Sequence, residues 1–115
     1  MSQQRRAHPR FSTSLSLEIY TGEDALPAKA RNLSQGGVGV ALEGTLPKGA
    51  KVGLSMFLVE DGIEDERTEP LNLQGEVIWC TPEQGAGYLA GIQFLQPGPE
   101  VVQRLEHFLR RLQGL

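Results

Sequence analysis

What most constrains the fold of this chain is an alternation of apolar and polar residues that stops at a turn signal and starts again, six times over. Leu15, Leu17 and Ile19 alternate with Ser14, Ser16 and Glu18. A period of two makes a half-buried strand, and this one runs from Ser12 to an end near Thr21-Gly22. Pro27 to Leu33 is a short second strand with Ala28 and Ala30 on one face. After Ser34-Gln35-Gly36-Gly37 the alternation resumes at Val38, Val40 and Leu42, and Gly44 stops it. Lys51 to Val59 carries Val52, Leu54, Met56 and Leu58 on one face. Leu71 to Trp79 puts Leu71, Leu73, Val77 and Trp79 in one parity, with Gly75 as the expected bulge. Gly85-Ala86-Gly87 is a turn, and Tyr88 to Leu95, with Leu89 and Ile92, is the sixth strand.

Only the end of the chain changes period. Val101, Val102, Leu105, Phe108, Leu109 and Leu112 follow helical spacing between Glu100 and Gln113. Pro97-Gly98-Pro99 breaks the preceding strand, Pro99 suits a first helical turn and Gly114 suits an exit. So short an amphipathic helix needs a surface to dock on. The chain has 115 residues, enough for one compact core and not two. Its 14 glycines and 7 prolines favour short elements joined by tight turns. Six antiparallel strands and a helix then make a mainly β domain, a small barrel or sandwich.

Charge narrows the function classes. The net charge is only −3, but it is unevenly spread. Arg5, Arg6 and Arg10 stand in a leader without a carboxylate, while Glu60-Asp61-Gly62-Ile63-Glu64-Asp65-Glu66-Arg67-Thr68-Glu69 is an acidic, exposed connection. A DNA- or RNA-binding barrel needs a basic face and exposed aromatics; this chain offers an acidic balance and seven aromatic side chains (one Trp, two Tyr, four Phe). No apolar run approaches the roughly 18–20 residues that span a bilayer, and the leader has no signal-peptide core, so a soluble cytoplasmic domain without membrane insertion is expected. Cys80 is the single cysteine, and no Cys/His spacing suits a metal. The acidic stretch lacks the spacing of a calcium loop. Ser34 has no histidine and acid in context to activate it. No catalytic residue, metal site or cofactor is expected, and the chain is not read as an enzyme.

Two motifs remain. Arg5-Arg6-Ala7-His8-Pro9-Arg10 by itself is a solvated basic tail, yet Pro9 limits its backbone and Phe11 anchors its end. All its strong cations are arginine, whose planar fork matches phosphate oxygens and the O6/N7 edge of guanine. Asn32-Leu33-Ser34-Gln35-Gly36-Gly37 by itself is an Asx or Ser turn. Asn32 and Ser34, two apart in an extended segment, would present an amide and a hydroxyl on one face. Gly36-Gly37 would permit positive φ and close approach of a ligand. Trp79 is either a core residue or one wall of a ligand site. His8 and His107 are expected at the surface, and Cys80 is expected to be inert.

Taken together the motifs are more specific than either alone. Arg-x-x-x-Arg (Arg6, Arg10), Asn-x-Ser-x-x-Gly (Asn32, Ser34, Gly37), Gly-x-Val-x-Trp (Gly75, Val77, Trp79) and Gly91-Ile92-Gln93-Phe94 resemble the PilZ domain family over nearly the whole chain. The resemblance implies a six-stranded β-barrel (12–115) with a C-terminal helix, preceded by a flexible arginine-rich arm (1–11). It implies a receptor for bis-(3′-5′)-cyclic dimeric GMP (cyclic-di-GMP). Arg6 and Arg10 would hold guanine edges and phosphates, Asn32 and Ser34 a guanine and its neighbouring phosphate, and Gly36 and Gly37 would leave room for the base. Trp79 and Gly91 would complete the site, and Arg5 would stack on a second, intercalated ligand. The chain departs from the family pattern at Gln93, where a basic residue is frequent, which removes one charge contact.

The expectation is therefore a cyclic-di-GMP receptor and adaptor whose arm becomes ordered on the ligand and which signals through a protein effector. The alternative is a PilZ-like protein-interaction adaptor, in motility or polarity, with weak or no cyclic-di-GMP binding. The acidic connection and the helix face would then be its contacts.

Overall fold

Alternation is realised as a closed barrel. The computed structural model describes residues 10–58 and 69–113. Within them run β1 (Phe11–Thr21), β2 (Asp24–Leu33), β3 (Gly37–Leu42), β4 (Lys51–Met56), β5 (Leu71–Pro82), β6 (Tyr88–Phe94) and α1 (Pro99–Leu112). The strands pair antiparallel in the order β1-β2-β3-β6-β5-β4, and β1 pairs with β4 to close the ring. Closure decides between barrel and sandwich.

The inward parity is the expected one. Leu15, Leu17 and Ile19 of β1, Ala28 and Ala30 of β2, Val38, Val40 and Leu42 of β3, and Val52, Leu54 and Met56 of β4 are all buried in one cluster. β5 adds Leu71, Leu73 and Val77, and β6 adds Ala90, Ile92 and Phe94. The helix brings Leu105, Phe108 and Leu109 into the same cluster and packs against β5. Pro99 opens α1 with Glu100 in the first turn, and Arg110 and Arg111 lie in its last turn, matching charge to the helix dipole.

Boundaries differ where local geometry overrides pattern. Gly22, at φ +63, and Glu23 form a two-residue hairpin that pairs Thr21 with Asp24, so β2 begins three residues before Pro27. β1 starts one residue early, at Phe11, which packs half-buried on the core. Val59 and 60–68 of the acidic stretch lie outside the described residues.

Two expectations fail for one reason. Gly75 is no bulge: it pairs regularly with Val52 and Phe94, and a Cβ on it would stand 2.5 Å from Ile92 Cγ2 inside the barrel. The irregularity in β5 falls between Val77 and Trp79 instead. An extra residue there, Ile78, turns two consecutive side chains outward. Val77 is fully buried whereas Trp79 is 42% exposed, so Trp79 is not a core residue. β2 does the same between Ala30 and Asn32: Arg31 is the added residue, Asn32 turns out, and Leu33 returns to the core.

Candidate functional site

The bulges in β2 and β5 aim two outward side chains at one another across the barrel wall. In register, Ser12 of β1 pairs with Asn32 of β2, Asn32 with Gly39 of β3, Gly39 with Gly91 of β6, and Gly91 with Trp79 of β5. This outward row crosses five strands, and its third and fourth members have no side chain. Both glycines are needed. A Cβ on Gly39 would lie 2.7 Å from Asn32 Nδ2 and 2.8 Å from Oδ1. A Cβ on Gly91 would overlap the indole of Trp79 at Nε1. Asn32 therefore lies over Gly39, and Trp79 lies over Gly91.

Arg10 reaches this row from the position just before β1. Its Nη1 donates a hydrogen bond to Asn32 Oδ1, joining the two sequence motifs directly. Arg10, Phe11, Ser12, Asn32 and Trp79 line a cleft of about 300 Å³. The lining brings together a guanidinium, an amide, a hydroxyl and an aromatic face. Such a set accepts a ligand with anionic groups and planar, hydrogen-bonding rings.

The Ser34 turn borders the row and is held from within. Ser34 is 4% exposed. Its Oγ accepts from the Gly36 N–H at 3.1 Å and from the Gly37 N–H at 3.2 Å, and lies 3.4 Å from the Gly37 carbonyl oxygen. The Ser34 N–H donates to that same carbonyl at 2.9 Å. Asn32 and Ser34 do not share a face, because β2 ends at Leu33 and Ser34 turns into the loop. Neither Gly36 nor Gly37 adopts positive φ. Gly37 answers close approach instead, since a Cβ on it would collide with the Ile92 carbonyl oxygen of β6. The Gly36 carbonyl accepts from Phe94 N–H at 2.9 Å, and Gln35 Nε2 donates to Glu106 Oε2 of α1 at 3.0 Å. The turn is thus tied to both β6 and the helix.

Of the residues expected at the site, the structure brings together Arg10, Asn32, Trp79 and Gly91, with Ser34, Gly36 and Gly37 in the adjoining turn. Arg5, Arg6 and His8 lie outside the described residues. Gln93 is exposed between Gly37 and Glu76. Gly39 was missed, although a glycine inside the Gly37-Val38-Gly39-Val40 alternation is the usual sign of close approach. Ser12 was missed because a strand-end serine carries no signal of its own.

Elsewhere the chemistry is quiet. Among the described residues no group of three or more His, Cys, Asp or Glu is placed to hold a metal ion. His107 is exposed, and Cys80 is half-buried with Thr45 Oγ1 at 3.6 Å. The Tyr20 phenol is held above its ordinary pKa, first by its hydrogen bond to Glu18. No helix of the described residues is long and apolar enough to cross a membrane.

A family model described as the PilZ domain matches residues 4–111. Similar solved structures include the Bacillus subtilis inhibitor of motility, MotI/DgrA, at 22% identity and a TM-score of 0.78, covering 96% of this chain and 52% of that one. The PilZ domain of YcgR from Escherichia coli, solved with c-di-GMP, is 18% identical with a TM-score of 0.77, covering 96% and 92%. The K. pneumonia MrkH–c-di-GMP complex is 16% identical with a TM-score of 0.72, covering 96% and 53%. The chain thus spans about half the length of MotI/DgrA and of MrkH and nearly all of the YcgR domain. No curated protein matches by sequence.

Proposed function

The chain belongs to the PilZ domain family, and from that premise we propose that it is a cyclic-di-GMP receptor acting in the cytoplasm by binding rather than by catalysis. The observation that carries the reading is the Arg10–Asn32 hydrogen bond. It unites motifs 22 residues apart in a cleft whose other wall is Trp79. Cyclic-di-GMP has two phosphate charges and two large planar bases. In this proposal Arg10 meets a phosphate or the Hoogsteen edge of guanine, Asn32 offers donor and acceptor to a base, and the Trp79 face stacks. Gly39 and Gly91 let a base approach the barrel wall.

Ser34 enters the proposal through the turn. One hydroxyl has one donor and two acceptor positions, and those are taken up within Ser34–Gly37. Gly36 and Gly37 shape the same border. Arg6 would join Arg10 on the phosphates, and Arg5 would stack on a second ligand intercalated against the first. Ordering of the arm on the ligand would present a new surface to a protein effector, at some loss of affinity to the ordering itself.

The test is isothermal titration of nucleotide-free protein with cyclic-di-GMP. Saturable heat is expected, with about two ligands per chain if Arg5 stacks on a second molecule and about one if it does not. Replacing both Arg6 and Arg10 by Ala should abolish the heat and leave the melting profile nearly intact, since Arg10 is exposed ahead of β1. No heat and no thermal shift at tens of micromolar ligand would sink the receptor reading and leave the adaptor.

A further inference from the structure

A second concavity lies on the outer wall away from Trp79. Its floor is the outward row Ser16–Lys29–Ala41 across β1, β2 and β3. One wall is Phe57, directly after β4, whose backbone N–H donates to the Ser16 carbonyl at 3.0 Å. The opposite wall is the tip of the β5–β6 hairpin, where Gly85 and Gly87 take positive φ and carry Ala86 over the groove. The groove encloses about 620 Å³, and the Phe57 ring on its edge is 40% exposed.

Three carboxylates, Glu18, Glu43 and Glu83, rim a groove whose apolar lining comes from Leu17, Pro27, Ala28, Leu42 and Phe57. Among the described residues one cation lines it. Lys29 lies along the floor with Nζ 3.0 Å from Ser16 Oγ, and Arg31 pairs with Glu83 at 3.4 Å. Glu18 and Glu43 have no ion-pair partner among the described residues. A groove with a largely apolar lining and two carboxylates outside any ion pair on its rim favours a ligand of opposite pattern, with bulky apolar side chains flanked by lysine or arginine.

We propose that this groove docks a short basic, apolar-anchored segment of a protein partner. Phe57 and Ala86 would clasp its apolar side chain, and Glu18 and Glu43 would meet its cations. The inference names the class of effector for the receptor reading and rests on that reading only for the role of the contact, because the groove is built without Arg10, Asn32 or Trp79.

The test uses the full chain and two labelled 12-residue peptides of leucine and phenylalanine interspersed with lysine in one and glutamate in the other, followed by fluorescence anisotropy. The basic peptide should saturate, bind at least about tenfold tighter than the acidic one, and weaken as salt rises. Phe57→Ser and Glu43→Lys should each weaken it about tenfold or more while cyclic-di-GMP affinity stays unchanged. Glu43 is exposed, so Glu43→Lys remains decisive if Phe57→Ser fails to fold. Equal binding of the two peptides, no binding up to about 1 mM, or indifference to Glu43→Lys would overturn the proposal. A concentration-dependent dimer abolished by Phe57→Ser would also overturn it, by making a second copy of the chain the occupant. Peptide binding in a protein that gives no heat with cyclic-di-GMP would keep this inference and sink the receptor reading.

Discussion

The indole of Trp79 occupies the space that a Cβ on Gly91 would need, so the aromatic wall of the cleft exists only because its cross-strand neighbour has no side chain. Gly91→Ala should push the ring off the barrel wall at a cost of about 1–3 kcal/mol from overpacking. Trp79 is the single tryptophan, so its emission reports the site alone. A red-shifted emission maximum, a lowered denaturation midpoint and weaker cyclic-di-GMP binding are expected together. Unchanged emission would show that Gly91 does not set the position of the ring.

Trp79 should matter more to the ligand than to the fold. It is 42% exposed, and its removal leaves the inward cluster intact. Trp79→Ala should weaken cyclic-di-GMP by roughly 10–100-fold, the scale of one lost base–aromatic stack. Titration of the unmodified protein should correspondingly change its tryptophan emission. A variant that binds as well as the original would remove stacking from the proposal.

Arg10 separates charge from geometry. Arg10→Lys keeps the positive charge but loses the planar fork that reaches Asn32. Both Arg10→Lys and Arg10→Ala should lose at least about tenfold in ligand affinity, with stability changed by no more than about 0.5 kcal/mol, because Arg10 is exposed. Full binding by Arg10→Lys would mean that only the charge is used.

Much of this molecule is legible in its residues, and what is not has a common cause. The inward positions of β1, β3 and β4 follow from strict alternation, and α1 follows from its change of period. Parity fails at Arg31 and Ile78, because an inserted residue leaves no composition signal. Those two positions are where the site is made. By simple parity Asn32 and Trp79 would point inward with Ala30 and Val77, and the bulges turn them onto the outer wall. Gly39 and Gly91 stand in the sequence as ordinary strand glycines; their role depends on register, which pairs each with a side chain from a distant strand.

Ser34 should behave as a structural residue of the turn. Ser34→Ala leaves the N–H groups of Gly36 and Gly37 without their acceptor in a buried place. A loss of about 1–3 kcal/mol is expected, read as a lowered denaturation midpoint. Ligand affinity should fall with it, as the turn loosens beside the cleft. Undiminished stability together with lost binding would give the hydroxyl to the ligand instead.

The bond from Gln35 Nε2 to Glu106 Oε2 is a direct side-chain link between the turn and α1, and it spans 71 residues of sequence. It is part-buried, so its contribution to stability is that of one charge-assisted hydrogen bond, about 1.5–3 kcal/mol before side-chain entropy is subtracted. If it also transmits ligand binding to the helix, Gln35→Ala and Glu106→Ala should be non-additive in stability and should both reduce the difference in α1 amide exchange between free and cyclic-di-GMP-bound protein. A double-mutant cycle with no coupling would reduce the contact to proximity. Coupling in stability alone, with helix protection on ligand addition unchanged, would make the bond a brace for the turn and move the output to the arginine arm.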